Sequence, residues 1–176
     1  LGLVESTGRM LGPGELPDGL PGPLRRRVVE HNGQPAFALA MADESATGEP
    51  IVLTQRDVRE IQLGKGAIAA GTSLILQEYG VTIDELDHVL LAGAFGNYVR
   101  ARSVIRIGLL PAVAEDKVEF IENAAGTGAR MVLAARHCRE NAEQIATETE
   151  YIELAGRPDF QMAFADAMLF SEPSVV

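Results

Sequence analysis

The segment Val89-Leu90-Leu91-Ala92-Gly93-Ala94-Phe95-Gly96-Asn97-Tyr98 constrains this chain most. An apolar run from Val89 to Ala92 has the length and residue types of a buried strand. It ends in two glycines three residues apart, and a helix-compatible stretch follows. A parallel strand that hands over to a helix through glycines lets backbone approach a ligand closely, and a helix N-terminus favours anions. That is nucleotide-site geometry, although a lone Gly-x-x-Gly after a strand is more often a tight turn than a site.

The same handover recurs some 30 residues on. Val118–Ile121 reads as a second short buried strand, and Asn123-Ala124-Ala125-Gly126-Thr127-Gly128 follows it. Neighbouring parallel strands open such turns at the same carboxyl edge of a sheet. Upstream, Thr54 with Asp57 three residues later forms a weaker capping box. It predicts a long helix to about Tyr79, ended by Gly80. Val58, Ile61, Ile68 and Ile75 recur at helical spacing and define its expected apolar face. Gln62 and Lys65 share a face with Gly66 beside them. On a ligand-facing surface Gln62 would hydrogen-bond a ribose or base, Lys65 would lay its stem along the ring, and Gly66 would admit it; otherwise the three are plain surface. Gly64, Gly66 and Gly71 inside one helix imply close approach of another backbone or a flat ligand.

Around these lie simpler elements. Strands are predicted at Ala36–Met41 and Pro50–Leu53, a short capped turn at Thr82–Glu85, and a helix from about Tyr98 to Ile107. One helix is expected from about Gly126 to Thr147, then a last strand at Tyr151–Leu154. Pro158 suits the first position of a final helix ending near Phe170. Residues 1–35 form an irregular opening segment, since Gly12–Pro23 is too rich in glycine and proline for regular structure. Residues 36–176 form the folded unit, of α/β class with a mostly parallel sheet in its second half. Leu1–Met10 reads like the middle of a longer protein.

Composition removes other classes. The net charge of −10 and pI near 4.7 argue against nucleic acid or anionic lipid as general partners. A single cysteine, Cys138, can neither form an internal disulfide nor ligate a cluster alone. No apolar run reaches membrane-spanning length, and the expected compartment is the reducing cytoplasm. His31, His88 and His137 lack metal-ligand spacing, and neighbouring His137 and Cys138 point differently on a helix. No catalytic group and no metal site is expected here.

These residues carry a resemblance. Thr54–Ile68, Leu91–Tyr98, Ile105-Arg106-Ile107-Gly108-Leu109-Leu110-Pro111 and Asn123–Arg130, with Tyr151–Leu154 and Pro158–Gln161, resemble the C-terminal part of the reductive activators of corrinoid proteins. That family is similar to the acetate and sugar kinase, heat-shock chaperone and actin superfamily. The resemblance implies the second lobe of an actin-like (ribonuclease H-like) ATPase fold, a mixed sheet with flanking helices. It implies ATP with magnesium in the intact protein, and an iron–sulfur cluster in a ferredoxin domain outside this sequence. The implied activity is ATP-dependent return of cob(II)alamin to cob(I)alamin on a corrinoid methyl-transfer protein, with a homodimer as a further expectation. Gly93, Ala94, Phe95, Gly96 and Asn97 would match the adenosine motif. Gln62, Lys65 and Gly66 would flank adenine and ribose, and Gly126 and Gly128 would lie in a connecting helix. The phosphate loops and metal-orienting carboxylate of that superfamily are absent from this sequence. Rival readings are part of a sugar or acyl kinase, or a docking module bordered by Arg25-Arg26-Arg27.

Overall fold

A computed structural model describes residues 2–93 and 98–170. It opens with a loop in which Val4 bridges Met10, then a single helical turn, α1 (Gly22–Arg25). A three-stranded antiparallel sheet follows, β1 (Val28–His31), β2 (Gln34–Ala40) and β3 (Ile51–Thr54), in that spatial order. The sequence expectation omits β1. Its signal is Asn32-Gly33, with φ of 51° and 74°, a two-residue left-handed turn that sets His31 opposite Gln34. Strand β1 and its turn therefore lie inside the stretch read as irregular.

Helix α2 (Gln55–Tyr79) starts and stops where its caps predict. The Thr54 hydroxyl accepts the Asp57 N–H and the Asp57 carboxylate accepts the Thr54 N–H, while Gly80 ends the helix at φ 64°. Of the expected apolar face only Val58 is buried. Val58, Gln62, Lys65, Gly66, Ala70, Gly71 and Leu74 are buried, whereas Ile61, Ile68 and Ile75 stay exposed. The glycine side wins because it lets other segments approach closely. Leu154 packs on Gly71, and Phe164 and Met168 pack on Gly66.

A one-turn 3-10 helix at Ile83–Glu85, capped by Thr82 as predicted, leads to β4 (Val89–Leu91). Then come α3 (Ala101–Arg106), β5 (Val118–Phe120), α4 (Ala124–Ala134), α5 (Arg136–Glu148) and α6 (Pro158–Ala167). Strands β4 and β5 pair in parallel, Val89 opposite Val118 and Leu91 opposite Phe120. Val104, Leu110 and Val118 form a small core beneath them. The architecture is mixed α/β, with an antiparallel sheet, a parallel pair and flanking helices.

Two further expectations need correction. The single helix over Gly126–Thr147 is two helices, because Ala135 adopts extended backbone (φ −140°, ψ 131°) between them. Tyr151–Leu154 is not a strand: it crosses α2 at Gly71 instead of joining a sheet edge. The final helix begins at Pro158 as predicted.

Candidate functional site

The two glycine turns meet. Gly93 follows β4 at φ +87°, and its N–H donates to the Glu122 carbonyl at 2.6 Å. That carbonyl also accepts the Ala124 N–H at 3.1 Å, at the start of α4. The carboxyl ends of β4 and β5 are thus tied by one shared acceptor. Asn123 caps α4 by accepting the Gly126 N–H at 2.9 Å. A Cβ on Gly126 would lie 2.6 Å from the Asn123 amide, so glycine there serves the cap. A Cβ on Gly93 or Gly128 would meet nothing within 4 Å among the described residues. No residue of α4 is buried. Ala94, Phe95, Gly96 and Asn97 lie outside the described residues.

Gln62, Lys65 and Gly66 are brought together as the spacing implies, but as the seat of the chain's own termini. Gln62 Nε2 donates to the Thr7 carbonyl (3.1 Å) and the Met168 carbonyl (2.9 Å). Two carbonyl acceptors on one side fix the amide's orientation and leave Oε1 buried with no partner among the described residues. Lys65 Nζ donates to the Ala167 and Leu169 carbonyls at 2.6 and 2.5 Å and sits 5.0 Å from the Phe170 ring centroid. A cation on the last carbonyls of α6 satisfies the acceptors a helix end leaves free and suits its dipole. Burial pushes the Lys65 pKa below its ordinary value. Gly8, at φ +84°, completes the seat, since a Cβ there would lie 2.1 Å from Gln62 Oε1. Plain exposed surface, the alternative reading of Gln62 and Lys65, is excluded: they are 3% and 2% exposed.

Sequence reasoning missed a cleft of about 380 Å³ further along this face of α2. Thr72, Ser73 and Gln77 line it on one side, Thr82, Leu110 and Pro111 on the other. Its uncharged lining suits a neutral, partly apolar group and offers phosphate no counter-charge. The helical repeat from Lys65 and Gly66 through Ala69 to Thr72 and Ser73 was its signal, legible only once Gly108 is known to close the far wall.

No cluster of three or more metal-ligating side chains occurs among the described residues. With one cysteine in the chain, an iron–sulfur cluster does not fit here. No helix among the described residues is long and apolar enough to cross a membrane.

Comparison with known proteins puts this mixed α/β lobe in the kinase, chaperone and actin class of folds. The family described as "C-terminal domain of RACo the ASKHA domain" matches residues 14–175, and the chain belongs to it. The corrinoid activation enzyme RamQ of Eubacterium limosum is 36% identical over 151 residues, covering 85% of this chain and 26% of RamQ. A [Co(II) methylated amine-specific corrinoid protein] reductase of Methanosarcina barkeri is 31% identical over 86 residues, 49% of this chain and 16% of that protein. A solved reductive activator for corrinoid, iron-sulfur protein superposes with a TM-score of 0.81 at 28% identity, covering 96% of this chain and 26% of that one. The chain thus spans about a quarter of the length of RamQ and of the solved activator, and corresponds to their C-terminal part.

Proposed function

We propose that this chain is the nucleotide-side lobe of an ATP-dependent activator that returns cob(II)alamin to cob(I)alamin on a corrinoid methyl-transfer protein. One observation carries the nucleotide assignment. Gly93 and Gly128 stand open at the joined carboxyl ends of parallel strands, where backbone can come against a ring or sugar. The Gly93–Asn97 turn is assigned to the adenosine end, with Gly126 and Gly128 beside it. Gln62, Lys65 and Gly66 are assigned to holding residues 164–170, the contacts on which they are spent. ATP with magnesium supplies the free energy for an uphill electron transfer. The phosphate and metal contacts fall to sequence outside this chain, as do the iron–sulfur ligands. The intact protein is assigned to the cytoplasm, where it can pair with a second copy.

The test is ATP titration of the intact polypeptide with Gly93→Val against Gly33→Val. Gly33 also has positive φ (+74°) and open surroundings, so it controls for backbone strain. We expect at least a roughly ten-fold loss of ATP affinity for Gly93→Val alone, the effect of losing about 1.4 kcal/mol. Equal affinities in the two variants would remove the assignment. Loss of cob(II)alamin reduction without loss of ATP binding would move Gly93 to another step.

A further inference from the structure

The geometry points to a docking surface at Tyr98, Arg100, Arg102 and Arg106 for an acidic face of the corrinoid protein, an inference that rests on the partner read above. The chain carries 25 acidic residues, yet none lies between Asp87 and Glu115, a stretch that holds these three arginines. The fold sorts that stretch into two sides. Val99, Ala101, Val104 and Ile105 pack on the core beneath β4 and β5. Tyr98, Arg100, Arg102 and Arg106 point the other way and are exposed, Tyr98 at 87%. Arg102 and Arg106 are one helical turn apart and share one face of α3.

None of the three arginines makes an ion pair among the described residues, whereas Arg9, Arg27, Arg136 and Arg157 all do. Triple-Arg Arg25–Arg27 is a weaker candidate, because Arg27 is bound to Glu44 and Arg25 to the Pro17 carbonyl. An exposed tyrosine flanked by unpaired arginines has the composition of an interface hot spot. On a chain of net charge −10, a stretch without acidic residues is a face that repels an acidic protein less than the chain as a whole. Nucleotide phosphate is the competing anion, since Tyr98 follows the glycine turn directly. Arg102 and Arg106 lie on α3 itself, up to eight residues beyond Tyr98 in the sequence, which favours a protein surface.

The experiment measures association of the intact polypeptide with its corrinoid protein at low and high salt. Arg102→Glu with Arg106→Glu is compared with Arg26→Glu with Arg59→Glu, an equal charge change on other exposed positions. The α3 pair should slow association about ten-fold or more at low salt, with the difference shrinking at high salt. Tyr98→Ala should speed dissociation, and neither change should alter ATP affinity or thermal unfolding. Equal slowing by the two charge pairs would overturn the proposal. A loss of ATP affinity with unchanged partner association would overturn it in favour of phosphate. Failure of the wild-type protein to bind any corrinoid protein would bring down the partner reading itself, a result separable from either.

Discussion

At Gly8 and Gly66 an added Cβ would run into neighbouring side chains, 2.1 Å from Gln62 Oε1 and 3.1 Å from Met168 Cγ. At Gly93 and Gly128 it would meet nothing within 4 Å among the described residues. Both pairs belong to regions where glycines sit beside polar residues on helix or turn, and in sequence both look like places made for a ligand. In space the α2 seat is filled by residues 7–8 and 164–170 of the same chain, while the β4–β5 edge faces outward. A glycine marks close approach; only the fold says whether the approaching group is the protein or something it binds.

The largest effect that would sharpen this contrast is at Lys65. Lys65→Met takes the charged donor from the Ala167 and Leu169 carbonyls at the end of α6, so a loss of about 1–3 kcal/mol is expected in urea unfolding. The same residue has a pH signature. Its pKa is lowered by burial from 10.5 in the folded chain, so between the folded value and 10.5 the unfolded chain binds more protons. Stability should therefore rise with pH across that alkaline window in the wild type, and Lys65→Met should lack the rise. A flat alkaline profile in both proteins would mean that Lys65 is solvated.

Next in size is a matched pair of opposite sign. Gly66→Ala should destabilise by about 1 kcal/mol, since crowding against Phe164 and Met168 outweighs the gain in helix propensity. Gly128→Ala should stabilise α4 by up to about 1 kcal/mol, because nothing opposes the same gain. Equal signs in thermal unfolding would erase the distinction between a filled and an open region. The smallest effect belongs to the cap that starts α2. The Thr54 hydroxyl and backbone N–H hold the Asp57 pKa below 3.8. Its contribution is present above that value and is lost as pH falls through the lower, folded pKa. Asp57→Asn should lower stability slightly at neutral pH, where the carboxylate contributes, and flatten the acid limb of the profile; an unaltered acid limb would show the carboxylate to be idle.

Local rules carried much of the architecture. Thr54, Asp57 and Gly80 bound α2, Pro158 starts α6, and two apolar runs ending in glycine turns are neighbouring parallel strands. The Asn32-Gly33 hairpin was equally legible, and its glycine- and proline-rich surroundings concealed it. The break at Ala135 carries no proline or glycine to announce it. Tyr151–Leu154 has strand-like residues, yet it joins neither described sheet, and Leu154 packs on Gly71 of α2 instead.

What the sequence determined by itself is local: where caps start and stop helices, where glycine permits a turn, and which family these motifs belong to. Only the tertiary structure decided which side of α2 is buried. Ile61, Ile68 and Ile75 are the apolar choice. Yet carbonyls at the end of α6 need donors, and Gln62 and Lys65 supply them beside glycines that let the helices touch. Unsatisfied backbone groups at a helix end outweigh the hydrophobic pattern of its neighbour, and no periodicity within α2 records that demand.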